Sequence, residues 1–263
     1  MLSALSPARR RLVLVVIGLV STLAVVTAVT VVRQHAGSGV RPVAQDDPGP
    51  VLLVPGYGGS TERLAPLVTL LEGVGREVTV VEPGGDGTGD LRDQAQVLAD
   101  AADAALTRTG AGSVDVVGYS AGGVVARVWV HELGGDGQAR RVLTLGTPNH
   151  GTQVAGAASE LVPAGCPTAC EQLAPDSDLL RGLNAGDETP EGPTFVAVWT
   201  TLDELVTPPE SARLAGALNI TVQSVCPSSR VRHGELPEEP AVAAIVVATL
   251  GTAAPFVPEA CPT

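Results

Sequence analysis

Residues 114–123 read Val-Asp-Val-Val-Gly-Tyr-Ser-Ala-Gly-Gly, and this stretch decides the fold. It opens as a short β-branched apolar run, which is typical of a buried strand. It then passes through Gly-Tyr-Ser-Ala-Gly into residues 124–130, which can continue as a helix. A strand, a Gly-x-Ser-x-Gly turn and a helix form a nucleophile elbow, which lifts the serine hydroxyl clear of the sheet. Side chains in place of the two glycines would collide with the neighbouring strand and helix. Ser120 is therefore the candidate nucleophile.

Apolar strands alternate with helices on both sides of the elbow. Strands that are apolar throughout and separated by helices indicate a parallel sheet covered on both faces. The sequence therefore predicts an α/β fold with a mostly parallel central sheet. Besides the strand of the elbow, the predicted strands are 51–54, 78–81, 141–145, 195–199 and 220–225, and the predicted helices are 61–73, 90–109, 124–130, 176–184 and 238–250.

A serine in an elbow needs a histidine as general base and an acid to orient that histidine. In hydrolases built around such an elbow the chain order is nucleophile, acid, histidine. Asp203 follows the strand 195–199, and His233 follows the strand predicted at 220–225 and precedes the final helix. Both positions lie at the sheet edge where ligands bind. We therefore predict that His233 takes the Ser120 proton and that Asp203 holds the imidazole in the required tautomer.

Other residues compete for these roles. Glu204, Asp176 and Asp178 are alternative acids, and a carboxylate in an acidic loop is usually just solvated. His150 follows a strand and comes early in the chain for the base, so it is predicted to line the substrate pocket. Of the two remaining histidines, His35 falls in a predicted linker, and His131 lies late on the helix after the elbow, where we expect it at the surface.

The Gly-rich loop after the first strand, Pro-Gly-Tyr-Gly-Gly-Ser at 55–60, is the candidate for half of an oxyanion hole. The Tyr57 amide and the Ala121 amide are predicted to hold the oxyanion, with Gly56 beside the substrate. No Gly-Lys-Ser/Thr follows the loop, so a phosphate-binding P-loop is excluded. The loop at 84–90 lacks the spacing of an EF-hand and the context of a dinucleotide fingerprint. We expect no cofactor and no metal.

The N-terminus is predicted to carry a targeting signal. Leu12–Val32 is an uncharged run of 21 residues after three arginines, long enough to cross a bilayer. A signal anchor in residues 1–33 and a cleaved signal peptide are both open, and the run is long for a signal peptide. Residues 34–49 are predicted as a linker and 50–263 as the catalytic domain. That domain is then extracytoplasmic on a membrane anchor, or secreted.

Charge and cysteine content agree with export. All 16 basic residues are arginine and the formal net charge is −12, so nucleic acid is an improbable partner. Four cysteines in an oxidising compartment indicate two disulfides. Three pairings exist, and proximity favours Cys166–Cys170 with Cys226–Cys261. The zinc alternative for the close pair has no second close-spaced Cys or His pair. The irregular segment 147–193 around that pair is a possible cap over the site.

With these motifs in hand, the chain resembles the compact bacterial lipases and esterases of the α/β-hydrolase superfamily. The specific pieces are Val-Pro-Gly-Tyr-Gly-Gly at 54–59, Gly-Tyr-Ser-Ala-Gly-Gly at 118–123 and Leu-Gly-Thr-Pro-Asn-His-Gly-Thr at 145–152. The resemblance runs from about residue 50 to 250 and implies a Ser120–His233–Asp203 triad that hydrolyses carboxylic esters, including lipids, without a cofactor. One departure is Pro55, where many relatives carry a histidine before the glycine.

Two other functions remain open at this point. The same triad can pass an acyl group to an alcohol, which would make an envelope acyltransferase. The domain can also be a membrane-tethered binding module without catalysis, although a serine, an acid and a histidine in the right order argue against it. The sequence leaves the oligomeric state undetermined.

Overall fold

The computed structural model describes residue 40 and residues 42–261. Within this part of the chain one parallel sheet has the strand order β2-β1-β3-β4-β5-β6. The predicted α/β fold, a parallel sheet between helices, is confirmed. The strands are β1 Val51–Val54, β2 Val78–Val80, β3 Val114–Tyr119, β4 Ala139–Leu145, β5 Thr194–Trp199 and β6 Leu218–Thr221. The helices are α1 Ala65–Gly73, α2 Leu91–Thr109, α3 Ala121–Glu132, α4 Gln153–Leu161, α5 Thr168–Gln172, α6 Asp178–Leu183, α7 Val222–Val225 and α8 Pro240–Thr249.

Two apolar layers cover the two faces of the sheet. Successive residues of a strand point to opposite faces, so Leu52 packs in one layer and Leu53 in the other. Helices α2 and α3 contribute to the first layer, and α1 and α8 to the second. The central strands β3 and β4 are buried along their whole length, as expected for a parallel sheet.

One predicted strand ends earlier than expected. The sequence predicts a strand over 220–225, but β6 ends at Thr221 and one helical turn, α7, follows. The Thr221 side chain accepts a hydrogen bond from the Ser224 amide, which satisfies a free donor at the start of that turn. This local cap overrides the strand preference of the β-branched residues.

A buried charged cluster lies at the amino ends of the central strands. Asp115 accepts hydrogen bonds from Arg140 at 2.9 and 2.5 Å and from Arg76 at 2.6 Å. Arg140 also donates to the carbonyls of Gln45 at 2.9 Å and Gly251 at 2.8 Å. The cluster therefore fixes the chain before β1 and the chain after α8. Gln45 belongs to the stretch 34–49 that the sequence predicts as a linker, and its carbonyl is bonded to Arg140 of the domain.

Two disulfides, Cys166–Cys170 and Cys226–Cys261, have the expected pairing. With Cys166 and Cys170 joined in a disulfide, the alternative of a zinc site at this pair does not hold. The segment 147–193 contains α4, α5 and α6.

The predicted membrane or signal segment, Leu12–Val32, lies outside the described residues, as does His35. Among the helices in the described part, none is long and apolar enough to cross a membrane.

Candidate active site

Ser120 lies at the turn between β3 and α3, with φ 52° and ψ −125°. Among the described residues it is the one non-glycine with positive φ, a conformation that costs energy and that tight surroundings must maintain. A Cβ on Gly118 would lie 2.5 Å from the Gly122 carbonyl oxygen, and one on Gly122 would collide with the Val54 carbonyl. The glycines of the motif thus allow β3, α3 and β1 to approach closely enough to form the elbow.

Ser120, His233 and Asp203 form one hydrogen-bonded line. His233 Nε2 lies 3.0 Å from Ser120 Oγ, and His233 Nδ1 lies 2.8 Å from Asp203 Oδ2. Residues that are 30 and 113 positions apart along the chain therefore meet at the carboxyl edge of the sheet. The histidine and the aspartate are both buried.

The loops after β5 and α7 hold the acid and the histidine in place. The second oxygen of Asp203 accepts the backbone amides of Leu205 at 2.9 Å and Val206 at 2.7 Å. His233 begins the 3₁₀ helix His233–Glu238, and its carbonyl accepts the Tyr119 hydroxyl at 3.1 Å. The rings of Tyr119 and His233 are 5.4 Å apart. Burial raises the pKa of Tyr119 to about 12, so its hydroxyl keeps the proton that it donates.

The loop after β1 brings Gly56 and Tyr57 to the serine. A Cβ on Gly56 would lie 3.0 Å from Ser120 Cβ and 3.5 Å from Ser120 Oγ, so only a glycine leaves this space open. The Tyr57 amide makes no hydrogen bond to another described residue. Ala121 is the first residue of α3, where the backbone amides lack helical partners. Both amides are therefore free to donate in the vicinity of Ser120.

Two clefts open at Ser120, and they share Tyr57 and Leu205. The first, which we call the apolar cleft, has a volume of about 330 Å³ and no charged side chain in its lining. Its other lining residues come from the segment 147–173 and the loop after β5, namely Pro148, Thr152, Val154, Ala155, Ala158, Gly165, Cys170, Leu173 and Val206.

The second, which we call the His233 cleft, has a volume of about 260 Å³. It is lined by Gly56, Ser60, Arg63, Tyr119, His233 and Gly234, besides the residues that it shares with the apolar cleft. The sequence analysis did not identify Arg63 or Leu205, because neither belongs to a motif. Only the folded loops bring them to the serine.

His150 is placed differently from the prediction. Its Nε2 lies 3.0 Å from Glu188 Oε1 and its Nδ1 lies 3.3 Å from the Ser211 carbonyl oxygen. These contacts turn the ring away, and His150 lines neither cleft among the described residues. Two of the alternative acids, Asp176 and Asp178, line neither cleft: they line another surface depression, with Arg181.

Glu204 lies near the site without replacing Asp203. Its carboxylate accepts the His233 backbone amide at a long 3.5 Å, and it makes no hydrogen bond to the imidazole among the contacts of the described residues. His131, expected on the surface, is partly buried with its Nε2 3.4 Å from the Glu188 carbonyl oxygen.

Comparison with known proteins gives a family and a fold. Residues 103–245, more than half of the chain, match the family model described as Lipase (class 2), and this range contains Ser120, Asp203 and His233. A sequence comparison with curated proteins gives no match.

Solved lipase structures share the fold at low sequence identity. The mature form of Bacillus licheniformis lipase BlEst2 is 18% identical with a TM-score of 0.54, covering 70% of this chain and 86% of that one. Its propeptide form is 17% identical with a TM-score of 0.65, covering 86% and 54%. Aspergillus fumigatus lipase B is 19% identical with a TM-score of 0.62, covering 77% and 52%. The chain thus spans about half the length of the last two. By its family match the chain belongs to the class 2 lipases, and it is a carboxylic ester hydrolase of the α/β-hydrolase type.

Proposed function

We propose that this protein hydrolyses esters of apolar acyl groups, lipids among them, with Ser120 as nucleophile, His233 as general base and Asp203 as the orienting acid. The observation that carries the proposal is the hydrogen-bonded line from Ser120 Oγ through His233 to Asp203, with distances of 3.0 and 2.8 Å. The first distance lies in the range that proton transfer from Ser120 to His233 requires, and the second is that of the hydrogen bond that orients the imidazole.

The proposed reaction has two steps. With its proton on Nδ1, His233 donates to Asp203 and accepts the Ser120 proton at Nε2 as the serine attacks the ester carbonyl. The Tyr57 and Ala121 amides hold the developing oxyanion. His233 then protonates the leaving alcohol, and an acyl-enzyme remains. Water, activated by the same imidazole, releases the carboxylic acid and restores Ser120.

The apolar cleft supports an apolar acyl group as the substrate. It begins at Ser120, and its lining carries no charge. Each methylene that leaves water for such a surface contributes about 0.8 kcal/mol, or about fourfold in kcat/KM when the contact persists in the transition state. Acyl chains that extend along α4 are thus favoured until the cleft is filled.

We also propose that the catalytic domain works outside the cytoplasm. The two disulfides support this location, because such bonds persist in oxidising compartments. Alkylation of thiols in cell fractions, followed by mass spectrometry, tests it. All four cysteines should resist alkylation until a reductant is added, and free thiols in the native protein would contradict export.

The proposed function is tested with 4-nitrophenyl esters from acetyl to palmitoyl. Ser120→Ala should lower kcat by at least about 10⁴-fold on every ester while the protein stays folded. The control is Ser224→Ala, an exposed hydroxyl that bonds only within its own turn, and it should match the wild type. A folded Ser120→Ala variant with more than a tenth of wild-type activity would falsify the assignment. Wild-type kcat/KM should rise with chain length over the first methylenes, and a constant value would argue against the apolar cleft as the acyl site.

A further inference from the structure

The two clefts at Ser120 differ in charge. The lining of the apolar cleft holds no ionisable side chain except the phenol of Tyr57. The lining of the His233 cleft contains one fixed positive charge, Arg63, and no carboxylate. This difference is unexpected on composition, since residues 41–263 carry 12 arginines against 28 acidic residues. Arg63 is exposed, and no carboxylate lines the cleft with it. The acids beside the site, Asp203 and Glu204, bond to the ring and the backbone amide of His233. The guanidinium is therefore available to an anionic ligand.

The position of His233 fixes which part of an ester enters which cleft. In the proposed reaction, on which this inference rests, the imidazole must protonate the leaving alcohol oxygen, so that oxygen lies within hydrogen-bond distance of His233 Nε2. His233 and Gly234 line the His233 cleft and not the apolar cleft. The alcohol portion of the substrate thus lies in the cleft that contains Arg63, and the acyl portion lies in the other.

Most of the Arg63 guanidinium is free to bind. Its Nη1 donates to the Gly234 carbonyl at 3.1 Å, and it makes no other side-chain hydrogen bond and no ion pair with a described residue. A guanidinium has five N–H donors in a planar fork that fits the two oxygens of a carboxylate or phosphate. The bond to Gly234 uses one donor and holds the group beside His233.

We propose that Arg63 selects esters whose alcohol portion carries an anionic group, a carboxylate or a phosphate, within reach of the scissile bond. The selection is local: the negative charge of the domain as a whole repels anions, so only direct contact with the guanidinium favours them. Arg63 is a specificity-determining residue in this scheme, and Ser120 and His233 carry out the bond cleavage.

The test uses two esters that differ in the charge of the alcohol portion. The anionic ester is 3-butanoyloxy-4-nitrobenzoate, and the neutral ester is 3-butanoyloxy-4-nitrobenzamide. The measured quantity is the ratio of kcat/KM for the anionic ester to that for the neutral one. Arg63→Gln should lower this ratio about tenfold, which is the size of one charge-assisted hydrogen bond. Arg63→Lys keeps the charge without the fork and should retain part of the preference. Normalising to the wild type removes the intrinsic difference in reactivity between the two esters.

Arg108→Gln is the matched control. It removes one arginine that is exposed, paired with Glu77 and located at the end of α2, so the ratio should stay at the wild-type value. An unchanged ratio in Arg63→Gln for this pair and for the phosphate pair described next overturns the proposal, as does an equal fall in Arg108→Gln. Hydrolysis of the neutral ester that persists in Ser120→Ala overturns the proposed function, and this inference with it.

A second matched pair identifies the anion. We expect 1-butanoylglycerol 3-phosphate to be favoured over 1-butanoylglycerol in an Arg63-dependent manner if the site accepts phosphate. An Arg63 effect on the carboxylate pair alone supports selection of carboxylates, and no effect on either pair overturns the proposal.

Discussion

Two buried aspartates, one at the amino ends of the strands and one at the carboxyl ends, have similar burial and different hydrogen-bond partners. Asp115, at the start of β3, accepts three hydrogen bonds, all of them from arginine side chains. Asp203, after β5, also accepts three: two from backbone amides and one paired with the His233 ring. Each carboxylate is thus removed from water and fully hydrogen-bonded.

The difference lies in what the partner can do. A guanidinium stays protonated at any pH that the protein survives, so the charges around Asp115 are fixed. An imidazole exchanges its proton near neutral pH, and the other nitrogen of His233 faces Ser120 at an open cleft. Burial of a carboxylate therefore does not distinguish structural from catalytic roles. The two roles are distinguished by whether the carboxylate's partner can change its charge and lies at a cleft. The following substitutions test this difference between Asp203 and Asp115.

The largest effect is expected for Asp203→Asn. The amide keeps the size of the side chain but favours the imidazole tautomer that leaves Nε2 protonated, so His233 no longer accepts the serine proton. We expect kcat to fall by about 10⁴-fold with a free energy of unfolding within about 1 kcal/mol of the wild type. Single-turnover kinetics with 4-nitrophenyl butyrate and chemical denaturation measure the two quantities.

Asp178→Asn is the control for this substitution. Asp178 is an exposed carboxylate, 95% accessible, whose partner is Arg181 on the same helix, so its loss should change neither quantity measurably. Wild-type activity in Asp203→Asn would show that His233 works without Asp203 as its orienting acid. Glu204, the next residue in the chain, would then need the same substitution test.

The opposite outcome is expected for Asp115→Asn. Removing the carboxylate leaves the buried Arg140 and the partly exposed Arg76 without their counter-charge, and breaking a buried pair such as Asp115–Arg140 costs about 3–5 kcal/mol. The free energy of unfolding should fall by that amount, while kcat/KM of the molecules that remain folded should stay unchanged. Denaturation in guanidinium chloride measures the free energy of unfolding, and active-site titration gives the concentration of folded enzyme to which kcat/KM is referred.

Glu77→Gln provides the comparison for Asp115→Asn. Glu77 pairs with Arg108 at the surface, where both side chains are about half exposed, so its loss should cost less than about 1 kcal/mol. A small effect at both positions would mean that the buried cluster contributes little to stability.

The elbow and the succession of strands along the chain were predictable from the sequence because each depends on local pattern. Gly118 and Gly122 mark the turn since no larger residue fits there, and the apolar runs mark buried strands. Asp203 and His233 were identified by their positions after strands, which the parallel topology brings to one edge. These are properties of short stretches and of chain order.

Features that depend on contacts between distant loops were not predictable. His150 follows a strand, as a pocket residue would, but Glu188 holds its ring elsewhere. Arg63 lies 57 positions before Ser120 in a helical turn of no special composition, and its place in the cleft follows from how that turn packs against Gly234. Asp115 sits inside an apolar strand, and only its three-dimensional pairing with arginines explains it.

The smallest effect on activity is expected for Tyr119→Phe, which weakens the support of His233 at the carboxyl ends of the strands. Tyr119→Phe removes the hydroxyl that donates to the His233 carbonyl and leaves the ring packing in place. A buried hydrogen bond of this kind contributes about 1 kcal/mol, so kcat/KM should fall by about fivefold while KM stays near its wild-type value.

The pKa of Tyr119 gives a second readout for the same substitution. Burial raises that pKa from 10.0 to about 12, so the folded protein holds the phenol proton more tightly than the unfolded chain does. The wild type therefore loses stability as the pH rises from about 10 to about 12, and Tyr119→Phe should lack this loss. Unfolding measured at pH 7 and pH 11 distinguishes the two proteins, and an identical alkaline loss in both would assign it to another group.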